Sequence, residues 1–157
     1  MSTTWYRFRT RWWLRADAPT VFAVLADLAD YPRWWRDVRS VRQCDADTAE
    51  LRARAVLPFT LALVLRRTEQ DSRTGRLAVA IDGDLSGSLR AEVGPDGLGT
   101  RVEIVQEVEV RRRLLRVLSP WLRPVLRFNH AAMMRRGRQG LVTRLADDRT
   151  GHPRDAA

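Results

Sequence analysis

The stretch LRPVLRFNHAAMMRRGRQGLVTRL, Leu122 to Leu145, decides the fold. Leu122, Val125, Leu126, Asn129, Met133, Gly137, Gly140, Leu141 and Leu145 recur at three- and four-residue spacing, which predicts one long helix with a single buried face. Arg127, Arg135, Arg138 and Arg144 fall mostly on the other side, and the helix follows Leu114-Leu115 and the break Ser119-Pro120. Pro124 fits because it lies in the first turn, where its missing N–H has no intrahelical partner. Gly137 and Gly140 each cost about 1 kcal/mol against alanine in a helix interior, so another backbone must approach them closely. The helix is therefore expected to lie across a sheet, with Asn129 and His130 in the middle of the contact.

Upstream of it the chain reads as strands. Trp5 to Leu14 alternates, with Tyr6, Phe8, Thr10, Trp12 and Leu14 on the apolar face. Asp17-Ala18-Pro19 starts a helix with the stripe Val21, Phe22, Leu25 and Leu28; it ends by Asp30, because Pro32 disfavours helical geometry at Tyr31. Tyr31-Pro32-Arg33-Trp34-Trp35 then forms a turn or one helical turn. Six strands follow at Val38 to Cys44, Glu50 to Leu57 (before the interruption at Pro58), Leu61 to Gln70, Arg76 to Ile81, Leu85 to Val93 and Thr100 to Val110. Turns separate them at Asp45-Ala46-Asp47, Asp71 to Gly75, Asp82-Gly83-Asp84 and Gly94-Pro95-Asp96-Gly97. Strands joined by short turns pair antiparallel, giving an α+β domain whose sheet only the long helix can cover. Residues 1–146 make this single domain, and 147–157 a polar tail expected to be disordered.

Composition narrows the function. The chain has 157 residues, enough for a core or a cavity wall, with no apolar run of spanning length and no signal-peptide core, so a soluble, cytoplasmic protein without stable membrane insertion is expected. The single Cys44 and the distant His130 and His152 offer neither a disulfide framework nor a metal site, and no motif calls for a cofactor. The net charge of +9 is carried by arginine alone, without one lysine, as in a GC-rich bacterial genome. Apart from Arg111-Arg112-Arg113 and Arg135-Arg136, the arginines are interleaved with Asp and Glu, which favours solvated faces over a nucleic-acid footprint.

Several segments together carry a resemblance: Ala18-Pro19, Val21-Phe22, Asp27, Tyr31-Pro32, Trp34-Trp35, Gly83 to Gly87, Gly99 to Val102, Asn129-His130, Met134 to Gly137 and Gly140-Leu141. In this order and spacing, over about residues 5 to 145, the chain resembles the polyketide cyclase/dehydrase branch of the START-like (Bet v 1-like, SRPBCC) superfamily. That resemblance implies a helix-grip fold: a curved seven-stranded antiparallel sheet around the C-terminal helix, with short helices after strand 1 and a deep apolar pocket between sheet and helix. The concave face should then present Leu77, Val79, Ile81, Leu85, Leu89, Val102, Ile104, Gln106 and Val108. Cyclases, aromatases, lipid and hormone carriers and chaperone activators share this fold, so the resemblance by itself leaves chemistry open.

Candidate residues follow. Gln106 is the one polar inward residue of its strand and must be hydrogen-bonded, either to Asn129, His130 or backbone, or to a ligand. His130 over the cavity is the candidate catalytic base, set against a structural histidine bonded to a strand carbonyl. Asn129 either orients a ligand carbonyl or serves the structure, Met133 lies on the buried stripe, and Arg136 either holds an anionic oxygen at the rim or reaches solvent. In proteins similar to this one the segment of Tyr31, Trp34 and Trp35 lies at the pocket mouth, where flat rings stack on a planar ligand; the alternative is core and surface packing. Asp82 and Asp84 read as turn residues, and Glu103, Glu107 and Glu109 as outward charge pairs. The partner expected is a small hydrophobic molecule, held or cyclised by a monomer or homodimer, with neither nucleic acid nor cofactor.

Overall fold

A computed structural model describes residues 5–55, 60–110 and 122–150. Strand β1 (Trp5–Leu14) is followed by helix α1 (Ala18–Ala26), a 3₁₀ turn (Leu28–Asp30) and the single helical turn α2 (Tyr31–Trp34). Then come β2 (Val38–Gln43), β3 (Thr48–Ala53), β4 (Leu61–Asp71), β5 (Arg76–Gly83), β6 (Leu85–Asp96) and β7 (Gly99–Val110), and finally the long helix α3 (Leu122–Thr150). All seven strands join one antiparallel curved sheet in the order β1-β7-β6-β5-β4-β3-β2, which is the helix-grip architecture.

The alternation seen in the sequence sorts the faces. On β1, Tyr6, Trp12 and Leu14 are buried, while Arg7 and Arg11 point outward and meet Glu107 and Glu103 directly across on β7, at 3.3 and 2.8 Å. Such exposed pairs add little stability each but fix which face is wet. On α3 the buried positions Leu126, Asn129, Gly137, Leu141 and Leu145 follow the predicted stripe. Asp17 caps α1, its carboxylate accepting from Thr20 N at 3.1 Å, with Pro19 in the first turn.

Several local expectations are corrected. Tyr31 is helical (φ −53°, ψ −40°) although Pro32 follows, because its hydroxyl donates to the Leu25 carbonyl at 2.6 Å and its own carbonyl accepts from Trp35 N at 2.8 Å. The turn expected over Gly94 to Gly97 contracts to Gly97-Leu98, since β6 runs on through Asp96, which pairs with Gly99. Pro95 is tolerated there because Val93 N, two residues earlier on the same side, already makes the last bond to Gly75 O, so the missing N–H faces an open edge. Gly97 supplies the left-handed φ of +60° that this two-residue turn needs. Strand β3 occupies Thr48–Ala53 rather than Glu50 to Leu57, and Pro58 lies outside the described residues, as do Leu114-Leu115, Ser119-Pro120 and Arg111 to Arg113. Helix α3 continues to Thr150, so residues 147–150 are helical, and 151–157 are outside the described residues.

The helix glycines are explained by a different neighbour from the one expected. A Cβ on Gly140 would overlap the backbone carbonyl oxygen of Trp34, and one on Gly137 would stand 2.5 Å from Cε2 of Trp35. The close approach is to α2, which wedges between α3 and the sheet, rather than to a strand.

Candidate functional site

Between the concave sheet face and the first half of α3 the interior is hollow, in two neighbouring chambers that share part of their lining. The inner one, of about 140 Å³, is lined by β1, the middle of the sheet and α3. Its apolar wall includes Leu61, Leu63, Ile81, Leu85, Val108, Val110, Leu126 and Met133, and among the described residues Tyr6, Tyr31, Trp35, Gln106, Asn129 and His130 bring polar groups to its lining. The outer chamber, of about 200 Å³, continues past Leu77, Ala91 and Ile104 toward Asp27, Asp47, Arg67 and Glu69. Leu28, Tyr31, Trp35, Leu65, Val79, Leu89 and Met134 line both chambers and form the waist. Of the expected concave-face residues, all but Val102 line a chamber; Val102 is fully buried in the core.

His130 sits on the inner wall with its ring stacked on Phe8, centroids 3.9 Å apart and planes 13° apart; Phe8 in turn lies 6.0 Å from Tyr6, nearly parallel. The Nε2 of His130 lies 3.2 Å from Oε1 of Gln106, a contact in which the tautomer protonated on Nε2 donates to the carboxamide oxygen and leaves Nδ1 bare. Burial pushes the His130 pKa down to about 4, so the imidazole is neutral near pH 7. Gln106 thus finds its protein partner in His130.

The aromatic segment is split by the structure. Tyr31 and Trp35 line the waist, while Trp34 lies behind them, stacked on Trp35 at 5.5 Å, and touches neither chamber. Trp35 is held by its Nε1, which donates to the Met133 carbonyl of α3 at 3.0 Å. Burial, reinforced by Asp27, raises the Tyr31 phenol far above its ordinary value, so it stays protonated and bonded to Leu25.

Arg136 is not at the chamber wall. Its Nη1 donates at 2.9 Å to Oδ1 of Asp37, which is 1 % exposed, and thereby ties α3 to the loop between α2 and β2. A buried carboxylate so placed is sustained by its partner, because removing either leaves a desolvated charge. Asp84 accepts from Ala62 N at 2.8 Å and Asp82 from Gly83 N at 2.8 Å, both at the strand junction where Gly83 adopts φ +109°. The expected turn is thus narrower: Asp82 and Gly83 end β5, paired with Val64 and Leu63 of β4, and Asp84 alone lies between β5 and β6.

Three residues of this site are not evident from the sequence. Tyr6 and Phe8 fall on the inward face of β1, but nothing in the alternation separates a core ring from a cavity ring. Tyr6 is 6 % exposed, and its hydroxyl has no hydrogen-bond partner among the described residues. Asp37, with Arg36 before it and Arg39 shortly after, reads as a surface charge.

Comparison with known proteins agrees with this architecture. The family model described as polyketide cyclase/dehydrase and lipid transport matches residues 14–134. Among solved structures, the Zhui aromatase/cyclase from Streptomyces sp. R1128 aligns with a TM-score of 0.77 at 11% identity, covering 98% of this chain and 99% of that one. A START superfamily protein from Mycobacterium smegmatis aligns with a TM-score of 0.71 at 15% identity, covering 90% and 97%. A protein from Thermus thermophilus, TTHA0849, gives 0.71 at 15% identity, covering 88% and 98%. At these identities the likeness establishes the shared fold. No curated protein matches by sequence.

Proposed function

We propose that this chain, which belongs to the polyketide cyclase/dehydrase and lipid transport family of the START-like (Bet v 1-like) superfamily, binds a small polyketide-like, aromatic or lipid-like molecule in its two-chambered cavity. The observation that carries the reading is the inner chamber itself: an aliphatic and aromatic wall around few polar groups, with no Asp, Glu or Arg among the described residues that line it. Tyr31 and Trp35 would stack on the ligand at the waist, and Gln106, Asn129, His130 and Met133 would contact its inner part. Trp34 and Arg136 would act from behind, by fixing Trp35 and α3.

The reading takes the protein as a cytoplasmic monomer or homodimer that needs no cofactor and no nucleic acid. In support, none of the described helices is long and apolar enough to cross a membrane, and Arg7, Arg11 and Arg42 are paired with glutamates across neighbouring strands. Native mass spectrometry of the protein purified from a bacterial host should show an apolar molecule released on denaturation. A protein that emerges empty and also takes up no neutral aromatic probe would sink the reading.

A second reading has its own observation. With Nε2–H held by Gln106, the Nδ1 lone pair of His130 is the unprotonated base that a cofactor-free cyclisation or dehydration needs next to a ketone. The cavity would add positioning, which alone supplies about 7–11 kcal/mol in favourable intramolecular reactions. The low basicity of so buried an imidazole favours holding over proton abstraction. Incubation with a poly-β-ketone precursor separates the two: conversion that disappears in His130→Ala while binding survives means catalysis, and unchanged ligand after hours means a carrier.

A further inference from the structure

Strand β1 is the last strand on its side of the sheet, and between it and α3 runs an open groove of about 560 Å³. Six arginines line this groove, Arg7, Arg9 and Arg11 from the strand and Arg127, Arg135 and Arg138 from the helix, and no Asp or Glu does so among the described residues. On the outer face of β1, Arg7 meets Glu107 and Arg11 meets Glu103 across β7, but the residue opposite Arg9 is Val105. Arg9, Arg127 and Arg135 have no carboxylate partner among the described residues. The main chain is unused there too. Glu107 O of β7 lies against Gly87 of β6, so Val108 turns its N–H and C=O to its β1 partner Tyr6, whereas Trp13 O accepts from Arg138 Nη2 at 3.2 Å on the other side. Strand alternation then directs the N–H and C=O groups of Arg7, Arg9 and Arg11 to the free edge. Charges on an edge strand serve in many sheets only to prevent pairing with another chain. That accounts for the arginines of β1, but not for those facing them from α3, nor for the apolar lining of Phe8, Ala131 and Met134 between.

We propose that this groove receives an extended acidic segment of a partner protein, added to the seven-stranded sheet as a further strand against β1. The edge groups of Arg7, Arg9 and Arg11 form its ladder, over a strip of about 13 Å that takes about five residues. Outward side chains of the added strand fall in the row of the three arginines, where an acid beside Arg9 supplies the carboxylate that Val105 does not. Inward side chains meet Phe8 and Met134, with Arg127 and Arg135 across the groove. The segment is therefore one in which acidic and aliphatic residues alternate. A lipid headgroup or a nucleic acid would satisfy the arginines and leave the main-chain edge unused, and a second copy of β1 would set arginine beside arginine.

The test titrates the full chain with a fluorescein-labelled peptide in which glutamate and valine alternate, read by anisotropy, with backbone hydrogen exchange followed by NMR. The amides of Arg7, Arg9 and Arg11 should exchange at least about tenfold more slowly in the complex. A peptide alternating glutamate with proline keeps the charge but lacks the N–H groups for a ladder, and should bind at least about tenfold more weakly. Arg9→Ala and Arg135→Ala should each weaken the valine peptide about three- to tenfold and leave the Tm unchanged, since neither side chain has a partner to lose. Arg42→Ala, on the opposite edge strand and paired with Glu50, should leave binding as it was. Equal affinity for the proline peptide, or binding without protection of those three amides, overturns the added strand. So does the absence of binding at millimolar peptide. Tighter binding to phosphatidylglycerol vesicles or to a single-stranded RNA than to the peptide overturns the protein partner, and a homodimer in which the three amides are already protected overturns it in favour of a second copy.

Discussion

The two halves of the long helix face the same sheet and do opposite things. From Gly137 to Leu145 the helix is pressed onto α2 so closely that hydrogen atoms are all its two glycines have room for, and Leu141 is fully buried. From Leu126 to Met134 the side chains line a void. The wedge of Trp34 and Trp35 separates the halves: it is inserted under the second half and, by its thickness, holds the first half away from the strands. The cavity is thus a consequence of tight packing next door, with Trp35 belonging to both, as floor of the waist and as the ring that meets Gly137. Dense packing transmits such displacement because an interior at crystal-like density has no slack to absorb it.

The strongest way to break this contrast is one methyl group. Helix propensity favours Gly140→Ala by about 1 kcal/mol, but the new Cβ meets a backbone carbonyl that no rotamer change can move. We expect a net loss of about 3 kcal/mol in denaturant unfolding, the upper range for overpacking. Gly137→Ala meets a ring rather than a backbone, so its cost should be smaller, about 1–2 kcal/mol, and should come with a changed Trp35 fluorescence as the indole shifts toward the chamber. A stabilising effect of Gly140→Ala would mean that α2 does not wedge the helix.

These same residues show what could be read in advance. That Gly137 and Gly140 need a close neighbour is visible in the sequence, because a helix interior does not otherwise tolerate them; which neighbour is not, since the sheet and α2 are equally available to a one-dimensional pattern. The strand faces and the buried stripe of α3 are legible because periods of 2 and 3.6 are local properties of the chain. The bond between Asp37 and Arg136 joins residues 99 apart in sequence, and nothing local distinguishes them from the other charges around them. At the site, the inward polar position of Gln106 is legible, as is the candidacy of His130. The bare hydroxyl of Tyr6 is not, because lacking a partner is a property of everything around a residue and of nothing in it.

The hollow half is sharpened by acid. The folded chain favours neutral His130, with its pKa at about 4 against 6.5 for an ordinary histidine. Between these values the unfolded chain binds the extra proton, so stability is constant above about pH 6.5 and falls as the pH drops toward 4. From about pH 7 to about pH 4.5 the loss attributable to this one group should be about 2 kcal/mol, allowing for its partial exposure. Urea unfolding of wild type and His130→Asn across that range isolates it, since the carboxylates contribute equally to both. Parallel pH profiles would show that the imidazole is not held in an apolar wall.

The smallest change in stability should come from adding bulk where the molecule is empty. Val79 lines both chambers at the waist, facing a void of about 140 Å³ on one side and about 200 Å³ on the other. Val79→Phe adds a ring that needs no backbone to move, so the stability change should stay within about 1 kcal/mol in either direction, the gain in contact offsetting the lost rotamer freedom. Yet the same ring occupies the passage between the chambers, and uptake of 2-acetonaphthone should fall at least about tenfold, a loss of about 1.4 kcal/mol in binding free energy. Val142→Phe, on the exposed side of α3, adds the same bulk and should change neither quantity. One methyl at Gly140 unfolding more of the protein than a whole aromatic ring at Val79 is what a packed half and a hollow half predict together. If Val79→Phe proves as costly as Gly140→Ala, the waist is already filled in solution and the two halves are alike.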